Sequence, residues 1–236
     1  MSRYIYIILR VLNLLCGKSV SGPLNVLVFG ETGVGKSSVI NLIMRQNVAQ
    51  TSPDAQTCTL EHTPYKIILD DREYKLWEVS SITPLSFFRR LFMRWKLKRE
   101  YKKLHKEDGV YLLLYCMMRG RAQGTFVKDY KLFTSIIGST AGRVPKIAAV
   151  VTFLEDYPGD MDDWWKKNEQ NLAESGMRFS NHACITSLPD DQNASAALRA
   201  RRWRSELIIR QLICDSYQAG TSQTSVNSVP IRSASA

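Results

Sequence analysis

The residues best suited to chemistry cluster between Leu24 and Arg45, where the chain reads LNVLVFGETGVGKSSVINLIMR. A run of β-formers (Leu24, Val26, Leu27, Val28, Phe29) leads into Gly30, Glu31, Thr32, Gly33, Val34, Gly35, Lys36, Ser37 and Ser38. An apolar-periodic segment follows: Val39, Ile40, Leu42, Ile43. This is strand, glycine-rich loop, helix, with the spacing G-x-x-x-x-G-K-S of a phosphate-binding loop. Its glycines let the backbone close around a ligand, so that successive N–H groups point at phosphate oxygens. The helix opening there has first-turn N–H groups without intrahelical partners and a dipole that favours an anion. Lys36 is placed to reach the β- and γ-phosphates of a nucleotide as a point charge, and the Ser37 hydroxyl to hold Mg²⁺. Both are therefore candidates for stabilising charge during phosphoryl transfer. A tight glycine-rich turn that binds nothing is the bland alternative, and the strand–loop–helix context speaks against it.

The elements that must position this loop follow from the rest of the chain. Its 236 residues are enough for one α/β domain with a real core and short extensions. A hydrophobic fraction of 44% with 23% charged residues excludes a disordered or fibrous chain. The net charge of +10 favours anionic partners such as nucleotide phosphates, acidic membrane or nucleic acid, without choosing among them. Five cysteines (Cys16, Cys58, Cys116, Cys184, Cys214) are scattered and form no C-x-x-C pair, which argues against disulfide frameworks and zinc sites. A reducing, cytoplasmic setting fits them.

Met1 to Cys16 is apolar and β-branched but broken by Arg10 and Asn13, too short and polar to span a bilayer. It reads as a docking segment or a weak membrane-surface helix, and with the linker to Pro23 makes up residues 1–23. Gln46 to Pro64 is polar and reads as a loop. Tyr65 to Leu69 and Glu73 to Val79, separated by Asp70-Asp71-Arg72, are two β-rich runs that so short a turn can join only as an antiparallel hairpin. Ile82 to Lys106 is aromatic and strongly basic. Phe88, Leu91, Phe92 and Trp95 can share one helical face, with Leu97, Tyr101 and Leu104 on a drifting second one. An amphipathic helix that covers the sheet and leaves its basic face in water is the simplest reading. Contact of helix 86–106 with anionic lipid or a partner is the alternative, and nucleic acid a weaker one. Gly109 to Met117 and Lys146 to Phe153 are continuous apolar runs, as strands buried on both faces should be. Helices are expected at Thr125–Ile137, Asp162–Ser175 and Ala194–Tyr217, and a short strand at His182–Ile185. From Gln218 the chain is polar with little to bury, so residues 218–236 are expected to be disordered.

With the loop, the hairpin and the alternating strands in place, residues 24–217 resemble the small GTPase-like G domains. The wording GETGVGKSS-VINLI is closest to the septin and immunity-associated GTPase branch, and to a group of fungal G-domain proteins. The resemblance implies an α/β fold: a mainly parallel sheet with one antiparallel edge strand, helices on both faces, and ligand at the carboxyl ends of the strands. It implies GTP/GDP and Mg²⁺ as cofactors, with an effector or activating protein as partner. A second Mg²⁺ ligand is expected from a Thr before the hairpin; Thr57 and Thr59 are candidates, and the resemblance favours Thr59.

The family's Asp-x-x-Gly box appears as Glu78-Val79-Ser80-Ser81. Glu78 keeps a carboxylate that would act on Mg²⁺ through water, whereas Ser81 replaces a glycine that adopts positive φ freely. Ile82, Thr83 and Pro84 follow, with no Gln or His to orient an attacking water. The guanine box appears as Thr152-Phe153-Leu154-Glu155. Glu155 could accept from the adjacent N1–H and N2 amino group that guanine has and adenine lacks. Phe153 stands where a Lys stem covers the base and could stack there. A last box supplying a backbone N–H to the guanine falls near Ala183 to Thr186. The expected function is that of a guanine-nucleotide-binding protein and slow Mg²⁺-dependent GTPase. A G domain that holds nucleotide without hydrolysis as an interaction scaffold is the rival, and a small-molecule kinase a more distant one.

Overall fold

The computed structural model describes residues 22–49, 64–79, 87–120, 123–141 and 144–224. The N-terminal apolar segment, Thr57, Thr59, Ser80 to Pro84 and the last twelve residues lie outside the described residues. In chain order the elements are β1 (Leu24–Phe29), α1 (Lys36–Met44), β2 (Tyr65–Leu69), β3 (Arg72–Glu78), α2 (Phe87–Glu107) and β4 (Leu112–Met118). They continue with α3 (Gln123–Ala141), β5 (Lys146–Thr152), α4 (Asp163–Glu174), β6 (Asn181–Cys184) and α5 (Ala196–Thr224).

The six strands form one sheet in the order β2-β3-β1-β4-β5-β6. Every pair is parallel except β2 with β3. β1 is buried throughout, and hydrophobic apart from Asn25, because it is central and covered on both faces. Its alternate side chains divide the core. Leu27 and Phe29 face α2, α3 and α4, whereas Val26 and Val28 face α1 and α5. On the first side Phe29 stacks on Phe133 of α3 at 3.8 Å between ring centroids. Truncating either ring is expected to cost about 3–5 kcal/mol.

The hairpin forms at a two-residue turn, Asp70-Asp71, with φ of 46° and 61°. Aspartate tolerates the left-handed region, and this turn matches the twist of the strands it joins. Arg72 therefore belongs to β3 and not to the turn. The hairpin brings Glu78 opposite Val28, at the carboxyl end of β1.

In α2 it is Leu97, Tyr101 and Leu104 that enter the core, whereas Leu91, Phe92 and Trp95 are exposed. At about 100° per residue the two sets lie on opposite sides of the helix, so only one can meet the sheet. At the carboxyl end, α5 continues through Thr224, so the disorder expected from Gln218 gives way to helix over its first residues. Arg210 of α5 donates through Nε and Nη2 to the Ile43 carbonyl at 2.9 and 2.7 Å, and Arg45 pairs with Glu206. These contacts cap α1 and fix the helix that begins at the glycine-rich loop. No described helix is long and apolar enough to cross a membrane.

Candidate functional site

The glycine-rich loop joins β1 to α1 at the carboxyl edge of the sheet, and two of its glycines are there for stated geometric reasons. A Cβ on Gly30 would stand 2.3 Å from the Cys116 carbonyl oxygen of β4, so only glycine lets β1 end so close to its neighbour. Gly35 occupies the N-cap of α1 at φ 86°, in the left-handed region. No side chain caps this N-terminus, and its first turn carries no acid. The Lys36 ammonium lies inside the loop, donating to the Gly30 and Glu31 carbonyls at 3.0 and 2.9 Å. The loop from Gly30 to Ser38, Glu31, Thr32, Gly33 and Val34 included, is thus a cradle built around one buried lysine. Such a cradle suits an anion with several oxygens. Beneath it, burial pushes the Cys116 thiol up to about 12, although the Lys36 charge pulls it down, so the thiol stays protonated.

Ser37 begins the helix and donates from Oγ to Glu78 Oε1 at 2.8 Å. A hydroxyl and a carboxylate thus meet beside the cradle, from α1 and β3. Oxygen donors of this kind suit Mg²⁺, which takes one or two protein oxygens and completes its shell with water and phosphate. The residues present therefore fit the ion. Thr59 cannot be placed beside them, because it lies outside the described residues.

The second loop follows β5. Thr152 is fully buried, and its hydroxyl lies 2.8 Å from the Val34 carbonyl and 3.1 Å from that of Met117. It ties the β5 loop to the glycine-rich loop across 118 residues of sequence. Phe153 adopts φ 62°, a conformation that costs a residue with a Cβ about 1–2 kcal/mol. Its ring is partly exposed, 3.7 Å from where a Cβ on Gly35 would stand. Ser187 Oγ, from the loop after β6, lies 3.5 Å from the same point. Three loops therefore converge on Gly35.

Glu155 is half-buried, and Thr186 Oγ1 lies 3.3 Å from its Oε2. Thr186 is held in turn: its N–H donates to Ser205 Oγ at 3.0 Å. Arg201 of α5 donates through Nη1 to the Leu154 and Glu155 carbonyls at 3.0 and 3.2 Å, and through Nη2 to the Gly159 carbonyl at 2.9 Å. The carboxylate thus stands on a backbone clamped from below. Ser187, Ser205 and Arg201 carry no sequence signal of this role, because each acts across a fold-dependent distance.

A family model described as 50S ribosome-binding GTPase matches residues 25–144, from the first strand through the helix before β5. The chain belongs to this family. It is a P-loop G domain, and its loop and fold are those of a GTP-binding protein. Among solved structures, a mutation variant of SsGBP matches at TM-score 0.56 and 14% identity, over 95% of this chain and 64% of that one. The SsGBP and GDP complex matches at TM-score 0.54 and 13% identity, over 92% and 56%. A dimerization-deficient mutant of Toc33 from Arabidopsis thaliana matches at 0.51 and 16%, over 80% and 83%. At these identities the likeness is one of fold, and the chain spans less than two thirds of either SsGBP chain. No curated protein sequence matches.

Proposed function

We propose that this G domain binds GTP and GDP with Mg²⁺ and hydrolyses GTP slowly. The observation that carries the reading is the meeting of three loops at Gly35, with the buried Lys36 on one side and Glu155 on the other. The polyphosphate would lie against the N–H groups of Gly30 to Ser38, and Lys36 would leave its two carbonyl partners for phosphate oxygens. The ring of Phe153 would cover the purine, and Glu155 would accept from guanine N1–H and N2. Ser37 would hold Mg²⁺ directly and Glu78 through water, with Thr59 as the third expected ligand. When bound, Mg²⁺ neutralises charge on the β- and γ-phosphate oxygens. In hydrolysis a water oxygen bonds to the γ-phosphorus as the bridging P–O bond breaks, giving GDP and inorganic phosphate. Lys36 and the loop N–H groups would stabilise the charge that develops.

A slow rate follows from the residues after Glu78. Ser81, Ile82, Thr83 and Pro84 offer no Gln or His to orient water, so an activating protein would have to supply that group or an arginine. The same departure favours a second reading, a G domain that keeps nucleotide without turnover and serves as a scaffold for an effector. Within the family the GETGVGKSS wording supports a kinship with the septin and immunity-associated branch, and the free cysteines suit a cytoplasmic protein. Mass spectrometry of nucleotide released from purified protein, beside Lys36→Ala, tests binding. Guanine nucleotide from the parent chain and none from the variant is expected, and an empty parent chain would remove the reading. Phosphate release during GTP incubation then separates slow enzyme from scaffold.

A further inference from the structure

The nucleotide site leaves the amino-terminal half of α2 unexplained. Leu91, Phe92 and Trp95 are 59%, 60% and 56% exposed, on successive turns of one helix face. Phe92 and Trp95 stack on one another at 6.2 Å, and the Arg99 guanidinium lies over the Trp95 ring at 5.1 Å. The helix is not loose, because Leu97, Tyr101 and Leu104 anchor its other side in the core. Between this face and α3 runs an open groove of about 660 Å³, floored by Ile136 and flanked by Arg94, Lys98, Ser135 and Ser139. Among the described residues two cations and no carboxylate line it. Over the whole helix nine Lys and Arg stand against Glu100 and Glu107, so most of the chain's net charge of +10 resides there.

We propose that this face of α2 docks on a membrane surface rich in anionic phospholipid, independently of what the nucleotide site holds. Trp and Phe with Leu on a projecting face are the side chains that settle at the headgroup–acyl boundary, where each removes apolar area from water. Lys and Arg beside them meet lipid phosphates, and each contributes about a fivefold gain in binding near an anionic leaflet. Charge complementarity therefore selects the occupant. A protein partner fits less well, since the buried centres of protein interfaces are depleted in lysine, and this helix carries Lys96, Lys98, Lys102, Lys103 and Lys106. Nucleic acid would use the cations and the rings but has no place for Leu91.

The test is co-sedimentation of the full chain with vesicles of phosphatidylcholine, with or without roughly one third phosphatidylserine. Binding is expected on the anionic vesicles, weakened about tenfold or more on neutral ones and by about 0.5 M salt. Phe92→Ser with Trp95→Ser should weaken it about tenfold or more, and Lys98→Glu with Lys102→Glu by a similar factor. Both pairs are on the surface, so circular dichroism should be unchanged. Trp203→Ser, at an equally exposed tryptophan on α5, should bind like the parent chain. Failure of the parent chain to bind anionic vesicles, or full binding by the Phe92/Trp95 variant, overturns the proposal. So does tighter binding to single-stranded RNA than to vesicles, or a solution dimer that the same variant dissolves.

Discussion

The glycine-rich loop and the loop after β5 sit side by side yet are built on different principles. The first would grip with backbone: Gly30, Gly33 and Gly35 all take positive φ, and Lys36 and Ser37 add side-chain contacts. The second, in the proposed site, would read the base with the side chains of Phe153 and Glu155, on a backbone held by Thr152 and Arg201. A grip made of main-chain amides tolerates little change, because a Cβ at Gly30 would strike the Cys116 carbonyl. A reader made of side chains could be rebuilt with others of similar chemistry.

Breaking the grip should have the largest effect. Lys36→Ala is expected to weaken GTP and GDP binding about 10²-fold or more, because it removes a charge-assisted contact made by a buried lysine; calorimetry measures it. Breaking the reader should change selectivity more than strength. Glu155→Ala should cut the preference for GTP over ATP by about 10²-fold or more in competition binding, since the unpaired guanine donors then distinguish nothing. Cutting the tie between the loops comes next. Thr152→Val removes the hydroxyl that lies within hydrogen-bond distance of the Val34 and Met117 carbonyls and should cost about 1–3 kcal/mol in urea unfolding, with weaker nucleotide binding alongside.

Phe153→Gly sharpens the comparison, because it should move two properties in opposite directions. Relief of the left-handed backbone should raise stability by about 1 kcal/mol. Loss of the ring should weaken nucleotide binding several-fold, as expected for about 1 kcal/mol of stacking. The smallest effect is alkaline. Burial raises the Cys116 and Cys184 thiols from 9.0 to about 12, so folding favours their neutral forms. Stability from this source is full below about pH 9 and declines as pH rises towards 12, which urea midpoints across that range would record.

What could be read from sequence follows the same division. The order of strands and helices was legible because β1, β4 and β5 are dominated by apolar residues and the hairpin permits only one pairing. The glycine spacing gave the cradle, since few other backbones need it. Arg201 and Ser205 were invisible, because each reaches its loop only after α5 has folded against the sheet. Which half of α2 stays exposed was not legible for a related reason. Two apolar stripes compete on that helix, and composition alone does not say that Tyr101 and Leu104 win. The basic charge around the losing stripe was visible all along.

The central claim is tested most directly by titrating the purified full chain with GDP in Mg²⁺ buffer, with ADP as the comparison, in a calorimeter. The account predicts saturable binding of one GDP per chain and binding of ADP weaker by about 10²-fold or more. Absence of saturable GDP binding by the folded chain, or equal affinity for both nucleotides, would contradict it.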